Sequence, residues 1–171
     1  MQRLRTMGAR AGREIMVERR MQIAVSGAGT CSEAVRQLAE EVGREVARHG
    51  AVLICGGLGG VMEAAARGAR AAGGLTVGIL PSYDAGSANR WLDVVIPSGL
   101  GHARNVLVVA SGDAVIALPG EQGTASEIAL ALKLHRCVVA LEAWQDHAGV
   151  LHATSPAEAV TMAITAASGA A

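Results

Sequence analysis

The residues best suited to chemistry lie in one stretch, Leu118-Pro-Gly-Glu-Gln-Gly-Thr-Ala-Ser-Glu127. An aliphatic run, Ala114 to Leu118, delivers the chain to a Pro-Gly turn, and Gly123 then opens a predicted helix, Thr124 to Arg136. A strand, a glycine turn and a helix start together suit anion binding. Glycines let a ligand approach the backbone, and the free N–H groups of a first helical turn favour negative charge. Gly120, Gly123 and Thr124 are therefore candidate phosphate ligands. Thr124 and Glu127 also stand at capping-box spacing, so Glu127 either caps the helix or faces a ligand. On this stretch alone the two readings are even.

Three other segments place chemistry just after a predicted strand. Ser26-Gly27-Ala-Gly29 follows the apolar run Gln22 to Ser26, and Ser26 and Gly27 are candidate ligand contacts. Gly56-Gly-Leu-Gly-Gly60 opens a helix over Val61 to Ala72, with Gly57, Gly59 and Gly60 as candidate backbone contacts. It is not a Walker loop, since no Gly-Lys-Ser/Thr follows, and Met62 stands where a dinucleotide fingerprint needs its last glycine. Gly99-Leu-Gly-His-Ala-Arg-Asn105 brings His102 and Arg104 to the mouth of the same cleft. His135, His147 and His152 have no metal-site spacing, and Ser26 and Ser126 lack a His/Asp arrangement for nucleophilic work. No metal is expected. Trp91 can stack on a base or anchor its polar loop to the core; the second is favoured.

These groups need a scaffold, and its elements alternate along the chain. Val35, Leu38, Ala39, Val42 and Val46 have the spacing of an amphipathic helix, with Thr30 and Glu33 as its predicted capping box. Ala51–Cys55, Leu75–Leu80, Val94–Ile96, Ala114–Leu118 and Cys137–Leu141 read as strands, with a last short one at Val150 and Leu151. His102 to Ala110 reads as a helix despite its β-branched residues, because a crossover is required there. Glu63 and Arg67 are predicted to pair along the second helix. Pro156 opens a closing helix to about Ala167. Strands alternating with helices imply an α/β fold: one doubly wound, mostly parallel Rossmann-like sheet over residues 21–168, helices on both faces, ligand at its carboxyl edge.

Composition narrows the classes further. The chain has 171 residues, 51% hydrophobic, with 22 glycines and no Phe, so the core must be built from Ala, Val, Leu, Ile and Met. Zero formal net charge gives no reason to expect nucleic acid or an anionic membrane as partner. Cys31, Cys55 and Cys137 are unpatterned and read as reduced thiols of a cytoplasmic protein. Residues 1–20 carry six arginines against Glu14 and Glu18 and read as a flexible basic extension.

The order and spacing of Gly56–Glu63, Gly73-Gly74, Gly99–Asn105 and Pro119–Glu127 resemble the Rossmann-like superfamily of the Lonely Guy phosphoribohydrolases, the lysine-decarboxylase-like proteins and the molybdenum cofactor carrier proteins. The resemblance covers roughly residues 22 to 141. In the hydrolases the last motif reads P-G-G-x-G-T-x-x-E, and an Arg and that Glu act at the N-glycosidic bond of a nucleoside monophosphate. By position these are Arg104 and Glu127, catalytic only if this chain is a hydrolase. Two departures matter: Glu121 replaces the second glycine, and Gly101-His-Ala-Arg104-Asn105 lacks the lysine of the hydrolase segment. Gly-Leu-Gly-His-Ala-Arg-Asn and Gly-Thr-Ala-Ser-Glu look closer to the carrier branch. Lysine decarboxylation is not expected, because no lysine has a Schiff-base setting.

The expected ligand is thus a phosphorylated heterocycle, either a nucleotide or the molybdenum cofactor, with no cofactor needed for folding. The helices around Val106–Ala110 and Ile128–Leu134 are apolar over more than one face, and a homo-oligomer is expected, aided by the resemblance.

Overall fold

The computed structural model describes residues 19–169, so the basic segment lies outside the described residues except for Arg19 and Arg20. Seven strands form one sheet: β1 Gln22–Ser26, β2 Val52–Cys55, β3 Thr76–Leu80, β4 Val94–Pro97, β5 Ala114–Ala117, β6 Cys137–Leu141 and β7 Leu151–Ala153. Their spatial order is β4-β3-β2-β1-β5-β6-β7, and every neighbouring pair is parallel. The helices are α1 Glu33–Arg48, α2 Val61–Ala71, α3 Asn105–Ser111, α4 Gln122–Lys133 and α5 Pro156–Gly169. Short 3-10 turns occupy Ala85–Ser87 and Gly101–Arg104. The chain grows outward from β1 through β2, β3 and β4. It then returns to the other side of β1 as β5, so the strand order reverses beside β1. Ligands of open parallel sheets bind at such a reversal, outside the strands' carboxyl ends.

Strand residues alternate between two apolar layers, as the period of a strand requires. Ile23, Val25, Leu53, Cys55, Ile116 and Val139 face α1, α2 and α5. Ala24, Ile54, Val115, Ala117, Val138 and Ala140 face α3 and α4. Because both faces are covered, the central strands are apolar throughout.

Small residues let the helices come close. On the first face α1 and α2 meet at Gly43 and Gly68, where an added Cβ would land on the Ala65 or Glu40 backbone carbonyl. Charged residues rim that contact, with Glu40 paired to both Arg44 and Arg67. At the far, amino end of the sheet Asp113 accepts from Gln22 N (2.8 Å) and from Arg19 (2.9 Å).

The expected elements are present, with local corrections. The α4 helix begins at Gln122 with Glu121 as its N-cap. Thr124 therefore lies inside the first turn, and Thr124 and Glu127 are not a capping box: the Glu127 carboxylate bonds Ser26 instead. In α1 the cap is Ser32, whose hydroxyl accepts from Val35 N (3.3 Å), and not Thr30. Arg67 reaches across the tight α1–α2 contact to Glu40 rather than along its own helix to Glu63, because the half-buried Glu40 carboxylate offers less screening than solvent. The β-branched run after Arg104 is indeed helical and packs Val108 and Val109 against the sheet. Trp91 packs against the core, and Arg90 lies over its ring at 4.7 Å.

Candidate functional site

Three turns converge at the carboxyl edge. The N–H of Ala28 donates to Pro119 O (3.0 Å), and Ala28 O accepts from Val61 N (3.0 Å). One residue after β1 thus joins the turn after β2 to the turn after β5. Such proximity excludes side chains at the contact: Cβ atoms at Gly27 and Gly60 would collide with Val61 and with the Ala28–Gly29 backbone. Gly60 also has φ 62°, and Gly57 φ 77°, a backbone region that favours glycine. The glycine run after β2 is therefore needed to bring the turns together.

Beneath these turns lies a buried polar cluster. Arg104 and Glu127 are each 7% exposed, and Ser26 is 1% exposed. Ser26 Oγ donates to Glu127 Oε2, while Glu127 Oε1 stands 3.5 Å from Arg104 Nη1. The same guanidinium donates to Asn105 Oδ1 (2.7 Å) and to Gly56 O (3.2 Å). Asn105 Nδ2 donates to Ser126 Oγ (2.9 Å), which donates to Gly123 O (2.7 Å). The cluster ties β1, the turn after β2, the start of α3 and the first turns of α4 into one network. Among the described residues Arg104 Nε is buried without a partner, as are Arg67 Nε and Arg136 Nε, while the Arg104 residue itself lines the cavity.

Burial governs the electrostatics. It pushes the Glu127 carboxyl above its ordinary range, and the Ser26 hydrogen bond and the Arg104 charge oppose that rise. Burial likewise draws Arg104 down from its ordinary value, opposed by Glu127, yet a guanidinium keeps its charge. The Cys55 thiol, wholly enclosed nearby, is pushed up to about 11 by burial and is no nucleophile at neutral pH.

A cavity of about 370 Å³ opens above the cluster. Its wall includes Gly27, Arg104, Gly123, Thr124 and Glu127 from the expected set. Ser26, Gly57, Gly59, Gly60 and Gly120 do not line it. Ser26 lies behind Glu127, and the glycines act at one remove: a Cβ at Gly120 would fall on the Thr124 side chain. His102 and Glu121 also line the cavity, together with Asn105, Thr30 and the apolar pair Leu58 and Met62. Among the described residues no side chain caps the amino end of α4, so the first N–H groups of that helix remain available beside Gly123 and Thr124. The wall thus combines helix N–H donors and a guanidinium with an apolar strip, a pattern that suits an anionic group attached to a flat ring. Asn105 and the Leu58–Met62 strip were not singled out as site residues by sequence reasoning. The first directly follows Arg104 in the Gly99–Asn105 segment; the second joins a residue of the glycine turn after β2 to the first turn of α2 and carries no signal of its own.

Known proteins give this geometry a context. Among solved structures, the molybdenum cofactor binding protein of the phototrophic bacterium Rippkaea orientalis is similar over 86% of this chain and 97% of that one, with 36% identity and a TM-score of 0.81. The molybdenum cofactor carrier protein of Chlamydomonas reinhardtii is similar over 88% and 99%, with 33% identity and a TM-score of 0.80. A protein of Archaeoglobus fulgidus without a described function is 47% identical over 85% of this chain and 95% of its own length. A cytokinin riboside 5'-monophosphate phosphoribohydrolase of Rhodococcoides fascians is 41% identical over 95 residues, 53% of this chain and 48% of that protein. DNA processing protein A of Helicobacter pylori, at 20% identity and a TM-score of 0.68, shares the fold alone. These likenesses agree with the superfamily resemblance read from the motifs, on its carrier side. With the profile of the SLOG cluster4 family matching residues 20–169, the chain belongs to that family.

Proposed function

We propose that this protein binds a phosphorylated heterocycle in the carboxyl-edge cavity and acts as a carrier, with the molybdenum cofactor as cargo and a nucleoside monophosphate as the alternative occupant. The observation that carries this reading is the pairing of open donors with an apolar strip. The uncapped start of α4 and the Arg104 guanidinium on the cavity wall supply donors for an anion, while Leu58 and Met62 supply a surface for a ring. Similarity to cofactor-binding and carrier proteins over most of the chain supports the cargo. Native purification followed by mass spectrometry of released small molecules tests it. A phosphorylated pterin is expected; ribose 5-phosphate among the released compounds would count against a carrier.

A second reading, hydrolysis of a nucleoside 5'-monophosphate to base and ribose 5-phosphate, is favoured by one observation. Glu127 is a buried carboxyl with a raised pKa beside an arginine, the setting of a general acid–base group. On that reading Glu127→Gln keeps the fold and the affinity for AMP but lowers base release about a hundredfold. We favour binding without turnover, because Glu121 puts a carboxylate where the hydrolase motif has glycine and the motif's lysine is absent. The proposed protein is a cytoplasmic homo-oligomer. Leu107 on α3 and Leu134 just after α4, both more than a third exposed, support the assembly, and light scattering at micromolar concentration should show at least a dimer.

A further inference from the structure

Among the described residues the Ser26 hydroxyl has one partner, the Glu127 carboxylate. The residue is fixed by the sheet: it ends β1, the strand paired on both sides, and its carbonyl accepts from Leu118 N (2.9 Å) across to β5. At 1% exposure the residue is closed off from solvent, and it lines no part of the cavity. A buried hydroxyl must find a partner, and the one within reach is Oε2 of Glu127. That contact removes one of the two carboxyl oxygens from competition. Oε1 is left as the oxygen on the side of Arg104, at a longer 3.5 Å.

We propose that Ser26 is a positioning residue for Glu127, locking Oε2 against β1 so that Oε1 is the one carboxyl oxygen offered to Arg104 and to an occupant of the cavity. The consequence is chemical as well as steric. A carboxyl held by one oxygen presents a single atom at which a proton can be held or accepted. A freely rotating one would present either. The donated hydrogen bond also favours the ionised form of a group that burial would otherwise keep protonated. The charged and titratable groups near the carboxyl are Arg104 beside it, Cys55 under it, and His102 and Glu121 on the cavity wall. Only Ser26 and Arg104 oppose the effect of burial. Ser26 therefore sets, together with Arg104, the pH range in which the site carries a negative charge facing its ligand. This inference rests on the reading of the cavity as the ligand site, but its test does not need a ligand.

The experiment follows the Glu127 carboxyl carbon by NMR in the full chain labelled with carbon-13 glutamate, assigned by its loss in Glu127→Gln. Ser26→Ala should raise the titration midpoint by about one pH unit. Ser26→Thr, which keeps the hydroxyl, should return it toward wild type and shows whether any effect arises from packing. Calorimetric titration with AMP runs in parallel. An unmoved midpoint in Ser26→Ala overturns the proposal. So does a tenfold loss of AMP affinity in Ser26→Ala with the midpoint unchanged, since Ser26 would then be a ligand contact. Failure of the wild type to bind AMP counts against the nucleotide side of the functional reading alone, and the midpoints still decide the role of Ser26.

Discussion

Glu40 on α1 meets two arginines, Arg44 and Arg67, at the rim of the α1–α2 contact, whereas Glu127 on α4 meets one, Arg104, beneath the cavity. The first arrangement is open on its arginine side: the side chains of Arg44 and Arg67 are 33% and 37% exposed around a Glu40 carboxylate that is 15% exposed. Water still solvates both guanidinium groups, and such a cluster adds little to stability. The second is enclosed, with side-chain exposures of 8% and 9%, a long ion contact and an unpartnered Nε. Taking both charges out of water costs more than a 3.5 Å contact returns, so the pair is weak as a support for the fold. What holds the α1–α2 face is shape, through Gly43 and Gly68. What the carboxyl edge holds is a buried ion pair at the wall of a cavity.

The comparison can be tested from both ends. The largest effect is expected where shape does the holding. Gly68→Ala puts a methyl group onto the Glu40 backbone and should lower unfolding free energy by about 3 kcal/mol in urea denaturation, with AMP affinity of the folded protein unchanged. Next comes Arg104→Met, which leaves the buried Glu127 without its counter-charge and should cost about 2–3 kcal/mol at neutral pH. The sign of its pH dependence follows from Glu127. Removing Arg104 raises the carboxyl's folded pKa further above the unfolded value, so the stabilising contribution is complete below the unfolded pKa and lost as pH rises through the folded one. The deficit should therefore be small at acidic pH and grow toward neutrality, read as Tm against pH. The double variant Arg104→Met, Glu127→Leu should recover most of that loss, since it replaces the pair rather than breaking it. The smallest effect belongs to Glu40→Gln, about 1 kcal/mol or less and reduced in high salt. A loss at Glu40 larger than at Arg104 would reverse the contrast.

Much of the scaffold was legible because its signals are local. Ala51–Cys55 and Cys137–Leu141 are apolar throughout, as strands buried on both faces must be, and the helix after Arg104 followed from the need for a crossover. The positions of Arg104, Gly123, Thr124 and Glu127 on the cavity wall also follow from their places just after strands. Local signals misled where a distant partner decided the outcome. Thr124 and Glu127 have the spacing of a capping box, but the helix starts two residues earlier and the carboxylate is claimed by Ser26. Arg67 has a glutamate at the right interval on its own helix, yet Glu40 on α1 takes it. Asn105, the link between Arg104 and α4, has no local pattern that distinguishes it from an ordinary helix-start asparagine.

The placement of β1 between β2 and β5 has a temporal consequence. Ser26 and Glu127 are 101 residues apart in the chain, and Arg104 and Gly56 are 48 apart. Neither half of the polypeptide contains a rudimentary version of the site, and a growing chain that ends before α4 has no floor for the cavity. Loop closure on this scale is entropically slow relative to helix formation, so the site assembles late, after the central strands have found one another. An occupant that touches both the β1 turn and α4 bridges segments that lie, at Ser26 and Glu127, 101 residues apart in the chain. Its departure must therefore precede the opening of that closure, and loading should be read in the unfolding rate as well as in the melting temperature.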